Sequence, residues 1–497
     1  MNFTSDSWIA LLPILVTSVT VVATMLAIAI RRNHKWNATI CVAGLNLALL
    51  SCLLALNVAP QQVTGLLVID KFALFYDVIV LGAALATATL SFNYMEGYAG
   101  EKEELYVLLA LTALGGLVLV SATNFVTFFI GMEITAVSMY GMIGYPHRDR
   151  RALEASIKYM ILSAIAGAFI LFGMALIYAQ TGTLSFNQLA DGLVSGTFAA
   201  SGLLVTGGAL IIVGVGFEVS LVPFHLWAPD VYEGAPAPIG GYLATASKAA
   251  MFAVLLRYFV ESRAYESALL LDILSVMAVL SIVVGNVLAL LQQNLKRMLA
   301  YSAIAHFGYA LVAFVATGAF AVEAVGFYLA SYVVTTLGAF GVIAIISTPI
   351  KASDADTLYD YRGQFWRRPY LAAILTAMLM SLAGAPMTAL FIGKLYVFAA
   401  SIDQRLWILV GAVTFGSAAG LFYYSRAAIV MFQRRRWVEP FKAPRNWTFQ
   451  AGGMAVITLT FLMLLMGLYP QPVMELIKAA GLHAPQAGNL ALNVLAH

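Results

Sequence analysis

The sequence has few charged residues and lacks the motifs that bind nucleotides, redox cofactors or metals. Only 10% of its 497 residues are Asp, Glu, Lys or Arg, against roughly 25% in a soluble domain. It has no Walker loop, no Gly-x-Gly-x-x-Gly fingerprint, no Cys-x-x-Cys and no histidine cluster with metal-ligand spacing. Cys41 and Cys52 fall within one apolar run and read as buried residues. We therefore expect no cofactor or metal on this chain, and the net charge of +3 gives no reason to expect a nucleic-acid partner.

Long apolar runs dominate instead: 62% of the residues are hydrophobic, and the mean hydropathy is +0.89. About 14 of these runs are close to the roughly 20 residues with which a helix crosses a bilayer. They lie at about 8–30, 37–57, 72–92, 104–121, 124–145, 155–180, 203–228, 239–260, 268–290, 298–317, 322–346, 370–400, 406–431 and 450–470. The pattern predicts an all-α polytopic membrane protein, with one membrane domain over 1–497 in contact with the lipid bilayer.

Basic residues are concentrated in alternate loops. One set of loops holds Arg31, Arg32, Lys35, Arg148, Arg150, Arg151, Lys296, Arg297, Lys351, Arg362, Arg367, Arg368, Arg434, Arg435, Arg436, Lys442 and Arg445. The other set holds few, among them Arg263, Arg405 and Lys478. Because cytoplasmic loops carry the excess of Lys and Arg, the first set is predicted to face the inside of a bacterial inner membrane. Both termini are then expected on the outer, periplasmic side.

Two of the runs contain a proline that interrupts a helix. Pro223 lies in the seventh run, and Pro386 lies in the twelfth, within Ser381-Leu-Ala-Gly-Ala-Pro386. Proline removes a backbone hydrogen bond, and the freed carbonyls are tolerated at membrane depth only where they line protein or a watery cavity. The twelfth run, 370–400, is also too long for one straight crossing. We expect both helices to be broken.

Ionisable residues recur at membrane depth near these breaks, namely Glu133, Glu218, His225, Lys248, His306 and Lys394. A charge at the centre of a bilayer costs at least about 2.5–3.5 kcal/mol, so such residues usually have a function. Because burial favours the neutral forms of acids and bases, these groups can take up and release protons. The sequence therefore predicts a proton relay. A structural ion pair remains the alternative for Glu133, Lys248 and Lys394, and a packed core histidine remains the alternative for His225 and His306.

Charged residues near the ends of runs have simpler interpretations. Lys158 follows Glu154 by four residues, so a local ion pair or a side chain that reaches the interface explains it as well as a relay does. Arg257, Glu323 and Arg426 are expected to be interfacial anchors.

The order of these features predicts an inverted repeat. The fifth, seventh and eighth runs carry Glu133, Glu218 with Pro223, and Lys248, whereas the tenth and twelfth carry His306 and Pro386 with Lys394. An offset of five runs is odd, so corresponding spans cross the membrane in opposite directions. The expected division is 1–103 for the first three helices, 104–260 and 268–431 for the two repeats, and 450–497 for the last helix and an outside tail.

The sequence contains four distinctive blocks, namely Leu153-Glu-Ala-Ser-Ile-Lys-Tyr, Ser220-Leu-Val-Pro-Phe-His-Leu-Trp-Ala-Pro-Asp, Leu243-Ala-Thr-Ala-Ser-Lys and Asn294-Leu-Lys-Arg-Met-Leu-Ala-Tyr-Ser-Ala-Ile-Ala-His. These blocks resemble the antiporter-like membrane subunits of bacterial proton-pumping NADH:quinone oxidoreductase (respiratory complex I). The resemblance covers essentially the whole chain. It implies 14 transmembrane helices, two inverted five-helix repeats and a central hydrophilic axis. It also implies that Glu133 is the coupling glutamate, that Lys248 is a central relay group and that Lys394 lies on the exit side.

By this resemblance the chain is a proton-translocating subunit with no redox site of its own. NAD, FMN, iron–sulfur clusters and quinone are implied on partner subunits of the complex. One position departs, because the family has lysine where this chain has Glu218. The expected pair with Glu133 then becomes two carboxylates, which share a proton if they are close; alternatively Glu218 pairs with Lys248. A cation/proton antiporter, or a structural subunit with an inactive channel, remains the alternative function.

Overall fold

The computed structural model describes residues 4–195, 198, 201–317, 320–348, 354–434 and 446–481. The predicted basic positions at Lys351 and at 435–445, and most of the predicted outside tail, lie outside the described residues. Within these ranges the chain is a bundle of long apolar helices joined mostly by short loops.

The part of the chain before the first break consists of eight helices and a small hairpin. They are α1 (Ser5–Ala10), α2 (Leu12–Ile30), α3 (His34–Leu56), β1 (Gln61–Thr64), β2 (Leu67–Ile69), α4 (Lys71–Tyr94), α5 (Glu104–Val120), α6 (Phe125–Ile143), α7 (Arg150–Thr181) and α8 (Phe186–Val194). Polar residues cap several helix starts: Asn33, Asp70, Asn124 and Asp149 each accept a backbone N–H from the first turn.

The strands mark one end of the bundle. β1 and β2 are antiparallel, with Gln61 opposite Ile69, and Leu67 bridges to Ala122 in the loop after α5. We call this end the hairpin end. The opposite end holds the loop before α7, the loop at residues 291–294 and the loop before residue 369, and we call it the basic end.

The remaining helices follow the long α7–α8 connection. They are α9 (Gly202–Val219), α10 (Trp227–Gly234), α11 (Ala237–Tyr242), α12 (Lys248–Glu261), α13 (Ala268–Leu290), α14 (Leu295–Val315), α15 (Ala321–Ile346), α16 (Gln364–Arg367), α17 (Pro369–Ala383), α18 (Ala389–Asp403), α19 (Trp407–Phe432), α20 (Ala451–Leu468) and α21 (Gln471–Ala480). A π-helical turn, Leu243–Ser247, joins α11 to α12. α14 and α15 form the centre of the bundle, since 94% of the most apolar stretch of each is buried.

Both predicted helix breaks are confirmed. α9 ends at Val219, and the chain turns through 220–226, which contain Pro223, before α10 begins. α17 ends at Ala383, and the chain turns through 384–388, which contain Pro386, before α18 begins. The seventh run is therefore helical over a shorter length than the predicted 203–228, because α9 stops four residues before its proline.

The two breaks have the same backbone geometry. Ser220 and Gly384 follow the last helical residue with positive φ angles of 64° and 91°. In each case the backbone N–H of the following residue donates a hydrogen bond to the carbonyl five residues earlier. The N to O distance is 2.8 Å for Leu221 and 2.9 Å for Ala385. These bonds satisfy carbonyls that would otherwise be left unpaired at a helix end inside the bundle.

The all-α membrane fold class is confirmed. Among the described residues, twelve helices are long and apolar enough to cross a membrane. The fourth and twelfth predicted runs are present as shorter helices: α5 has 17 residues, and α17 and α18 have 15 each. The count of 14 crossings and the division into two five-helix repeats stay predictions.

Candidate functional site

Two carboxylates, Glu133 of α6 and Glu218 of α9, lie against one face of α7. Ser163 Oγ donates to Glu218 Oε1 at 3.0 Å. One turn further along α7, Glu133 Oε1 lies 2.7 Å from the point where a Cβ on Gly167 would be. Residues four apart share a helix face, so α7 brings the two carboxylates together, and they interact electrostatically. Glu218 is 9% exposed, whereas Glu133 is half-buried.

Neither carboxylate forms an ion pair with a basic residue in the described ranges. Lys248 interacts electrostatically with Glu218, but its Nζ donates to Ser220 Oγ at 2.6 Å and to Val219 O at 3.3 Å. Of the two arrangements open from the sequence, the structure has the two acids near each other and Glu218 hydrogen-bonded to Ser163, not to Lys248.

Lys248 is held at the first break by carbonyl and aromatic groups. Its side chain is 1% exposed. Nζ lies over the rings of Trp227, Tyr232 and Phe307 at 5.2, 5.4 and 5.0 Å from their centroids. The carbonyl end of α9 carries the negative pole of the helix dipole, and the ring faces attract cations. The site therefore stabilises a protonated lysine without a carboxylate in direct contact.

Lys394 repeats this arrangement at the second break. Its Nζ donates to Leu382 O at 3.1 Å and to Ala383 O at 3.0 Å, the last carbonyls of α17. The same atom lies 5.2 Å from the ring centroid of Tyr309. Lys394 is also buried, at 5% exposed. The two lysines thus cap the carbonyl ends of the two broken helices.

His306 lies between the lysines on the central helix α14. Its Nδ1 and the Tyr328 hydroxyl are 2.6 Å apart, and its Nε2 and the Tyr424 hydroxyl are 3.3 Å apart. Its ring also packs against Tyr309 and Tyr332, with centroids 5.5 and 5.2 Å away. Phe307, one residue along, contacts Lys248, and Tyr309 contacts Lys394, so α14 links both lysine sites.

The structure does not bring His225 into this group. It lies in the turn after α9 and is 6% exposed. Neither ring nitrogen has a hydrogen-bond partner among the described residues. Those residues also include no group of three His, Cys, Asp or Glu side chains that could hold a metal ion.

A family described as "NADH:quinone oxidoreductase/Mrp antiporter, TM" matches residues 122–420, which contain all six of the predicted site residues. The chain belongs to this family. NADH-quinone oxidoreductase subunit N of Ectopseudomonas mendocina (strain ymp) is 53% identical over 489 residues, covering 97% of this chain and 98% of that protein. The resemblance inferred from the sequence blocks is confirmed.

Solved structures of related complexes agree with this placement. A chain of respiratory complex I from Thermus thermophilus with bound aureothin is 31% identical and has a TM-score of 0.80, covering 94% of this chain and 100% of that one. A chain of the archaeal membrane-bound sulfane sulfur reductase is 27% identical, with a TM-score of 0.82 over 95% of this chain and 96% of that one. A chain of the Mrp complex from Dietzia sp. DQ12-45-1b shares the fold. It is 18% identical and has a TM-score of 0.82, covering 96% of this chain and 97% of that one.

This antiporter-family chain also has buried hydroxyls that the sequence reasoning missed. Tyr232 Oη, Ser331 Oγ, Tyr332 Oη and Thr336 Oγ1 have no hydrogen-bond partner within the described ranges. Tyr232 contacts Lys248, and Tyr332 contacts His306. On α15 a signal was present, because Tyr328, Ser331, Tyr332, Thr335 and Thr336 follow one another at intervals of one or three positions within an apolar run.

An ion-pair network at the basic end surrounds Asp230 of α10. Lys158 Nζ donates to Asp230 Oδ2 at 2.8 Å, and Arg297 Nη1 donates to Oδ1 at 2.6 Å. Lys158 also forms the predicted local ion pair with Glu154, at 2.7 Å. Its second partner, Asp230, is one that sequence spacing could not show. Burial alone would raise the pKa of the Asp230 carboxyl, but the bonds from Lys158 and Arg297 outweigh it and hold that pKa below its usual value. The network lines a cavity of about 220 Å³.

The expectation that Arg257 is an interfacial anchor is wrong. Its side chain is 1% exposed, and it forms two 2.8 Å bonds to Asp70 and one of 3.2 Å to Glu261. Its Nε also donates to Val120 O at 3.2 Å. Asp70 is 187 residues away in sequence, so only the packing of α4 against α12 reveals the pair.

Proposed function

We propose that this chain is a proton-translocating membrane subunit of an NADH:quinone oxidoreductase, and that Glu133, Glu218, Lys248, His306 and Lys394 carry the protons. The decisive observation is that two buried lysines are each held by the carbonyl end of a broken helix, with no carboxylate in hydrogen-bond contact within the described ranges. Family membership and the 53% identity to a subunit N support the assignment to the enzyme.

In this proposal the chain acts with the other membrane and peripheral subunits of the complex. NAD, FMN, iron–sulfur clusters and quinone belong to those partners, and quinone reduction supplies the energy. The basic end faces the inside of the bacterial inner membrane, because Lys and Arg are concentrated in its loops. The hairpin end and both termini are then on the periplasmic side.

Glu133 and Glu218 are proposed to hold one proton between them. Both contact the same face of α7, at Gly167 and Ser163. Two like charges close together in a bundle disfavour double ionisation, so the pair titrates as a unit. The half-buried position of Glu133 gives a neighbouring subunit access to it, so a charge change there can shift the shared proton.

Lys248 responds to the state of these acids. An ionised pair stabilises its ammonium group through space, whereas a neutral pair leaves only the Ser220 hydroxyl, the α9 carbonyl and the aromatic rings. A charge at membrane depth costs at least about 2.5–3.5 kcal/mol. Protonation of the acids therefore favours release of the proton from Lys248.

Transfer from Lys248 towards Lys394 passes through the centre of α14 and α15. The hydroxyls of Tyr232, Tyr332 and Thr336 are buried polar groups, and such groups are normally satisfied by protein or by ordered water. Water bound to them supplies a hydrogen-bonded connection to His306. His306 then reaches the Lys394 side through Tyr328 and Tyr309.

The test is NADH-driven proton pumping in sealed membrane vesicles that carry Glu133→Gln, with assembly checked on a native gel. We expect loss of pumping and of coupled oxidase activity in a fully assembled complex. The matched control is Glu475→Gln, which neutralises an exposed carboxylate on α21. Unchanged protons per NADH in Glu133→Gln would mean that the chain is a structural subunit. Sodium-dependent transport by the unaltered complex would favour the cation/proton antiporter.

A further inference from the structure

A buried carboxyl outside the relay, Asp77, lies on α4. It is 0% exposed, and neither Oδ1 nor Oδ2 has a hydrogen-bond partner among the described residues. An ionised carboxylate in such surroundings is strongly disfavoured unless it is paired or hydrated. Burial without a partner therefore favours the protonated form of Asp77, and a neighbouring cation must offset any charge that it acquires.

The neighbouring cation is Arg257. Asp77 interacts electrostatically with Arg257 and Asp70. Asp70 precedes Asp77 by seven residues, so the two share a face of α4, roughly 10 Å apart along its axis. Arg257 is bound to Asp70 and Glu261, whose side chains are 20% and 15% exposed. The cluster thus runs from the surface of the hairpin end inwards, with Asp77 as its innermost member.

Other charged or titratable groups near Asp77 do not neutralise it directly. Cys52 on α3 faces it, and Tyr76 is its neighbour on α4. At the hairpin end, α15 and α21, which pack against α4, carry Glu323, Glu475 and Lys478. The facing stretch of α5, residues 105–120, and all of α20 carry no charged residue.

The Asp77 cluster is separate from the proposed relay. Lys248 and Arg257 are both on α12, but nine residues rotate a helix by two and a half turns, so they project from opposite faces. Lys248 faces Phe307 and Trp227, whereas Arg257 faces Asp70 and Phe72. No hydrogen bond joins the two groups within the described ranges.

We propose that Asp77 is a proton-binding site that exchanges protons with water at the hairpin end through Asp70, Arg257 and Glu261. On release, the Asp77 O–H bond breaks, the proton passes to water held by the outer carboxylates, and the guanidinium stabilises the carboxylate that remains. Uptake is the reverse. The assignment to the periplasmic side rests on the proposed orientation, but not on the relay.

The test uses the whole complex, reconstituted in liposomes with its NADH site facing the bath. The complex is labelled with the apolar reagent dicyclohexylcarbodiimide, which reacts with protonated carboxyls. The lumen pH is varied in steps while the bath pH is fixed, and adducts on the Asp77 peptide are counted by mass spectrometry. We expect adduct formation to fall by about tenfold per pH unit on the alkaline side, as for a single titrating group. Absence of an adduct at every lumen pH, or an adduct that follows only the bath pH, would overturn the proposal.

Substitutions give a second measurement. We expect Asp77→Asn to lose the adduct and Asp77→Glu to keep it. Asp272→Asn, which removes an exposed carboxyl from α13, is the matched control. An adduct that persists on this peptide in an assembled Asp77→Asn complex would contradict the assignment of the site to Asp77. Labelling is repeated in Glu133→Gln: if Asp77 still follows the lumen pH there, the site stands independently of the relay.

Discussion

Gly167 of α7 offers a test of the site that leaves every ionisable residue in place. A Cβ at this position would lie 2.7 Å from Glu133 Oε1, and ordinary contacts begin at 3.4 Å. Gly167→Ala therefore moves the carboxylate by about 0.7 Å, the difference between these two distances. Because the atom that must move is the end of a flexible side chain, the backbone of α6 and α7 can stay where it is.

The same substitution should not harm folding. Alanine in a helix interior is more favourable than glycine by roughly 0.5–1 kcal/mol, which offsets the displacement of one carboxylate. Function is more sensitive, because a misplacement of 1 Å between reacting groups can cost about 100-fold in rate. For a shift of 0.7 Å we expect about a tenfold loss of NADH-driven proton pumping in a complex that assembles at wild-type levels.

The assay is initial pumping rate in sealed vesicles, normalised to complex assembled on a native gel. Gly411→Ala on α19 is the matched control, because a Cβ there meets nothing within 4 Å. Adding Glu133→Asp to Gly167→Ala shortens the side chain and should recover part of the rate. Wild-type pumping in Gly167→Ala would refute the argument that the contact between Glu133 and α7 positions the relay.

Two further predictions follow from the hydrogen bonds. Tyr328→Phe removes the hydroxyl that lies 2.6 Å from His306 Nδ1, and we expect slower pumping with normal assembly. The control is Tyr370→Phe, at an exposed position. Equal pumping rates in the two variants would exclude His306 as a proton carrier. Asp230→Asn should weaken the basic-end network by about 1 kcal/mol or less, because the carboxylate is 35% exposed. Since its folded pKa lies below the usual value of about 3.9, this stability is present at neutral pH and is lost as the pH falls towards the folded pKa. Thermal unfolding of variant and wild type should therefore differ at neutral pH and converge in acid, and an equal difference at both would contradict the assignment.

Sequence reasoning located the residues whose chemistry is out of place in an apolar run. Glu133, Glu218, Lys248 and Lys394 stand out because nothing in a lipid-facing helix needs them; the bundle buries the last three and half-buries Glu133. Sequence reasoning failed where the position and role of a residue depend on a partner far away along the chain. Arg257 near a helix end looks interfacial until Asp70, 187 residues earlier, is seen to enclose it.

Asp77 and the tyrosines show two other reasons for failure. Asp77 lies close to the start of a predicted span, where a carboxylate ordinarily reaches water, and the packing of other helices against α4 buries it. Tyrosine is common in apolar helices, so Tyr328 and Tyr424 carry no distinctive signal until their hydroxyls are found against His306. Burial and contact across helices are properties of the fold, and local spacing does not encode them.

The proposed charge balance around the first break accounts for Glu218 at the position where the sequence resemblance implies a lysine. A glutamate paired with that lysine is neutral when Lys248 has lost its proton. In the arrangement that we propose for this chain, two acids that share one proton carry a single negative charge, and a protonated Lys248 cancels it. The buried cluster is therefore neutral in both cases, which avoids the cost of an uncompensated charge at membrane depth. The substitution moves the ionised base from α9 to α12, where Ser220, Val219 O and three aromatic rings already surround Lys248. Because the second break has no carboxylate in hydrogen-bond contact with Lys394 in the described structure, this compensation is confined to the first half. In our proposal, Glu133 of α6 and Glu218 of α9, which meet against α7, are thus the place where a charge arriving from a partner changes the protonation of the whole relay.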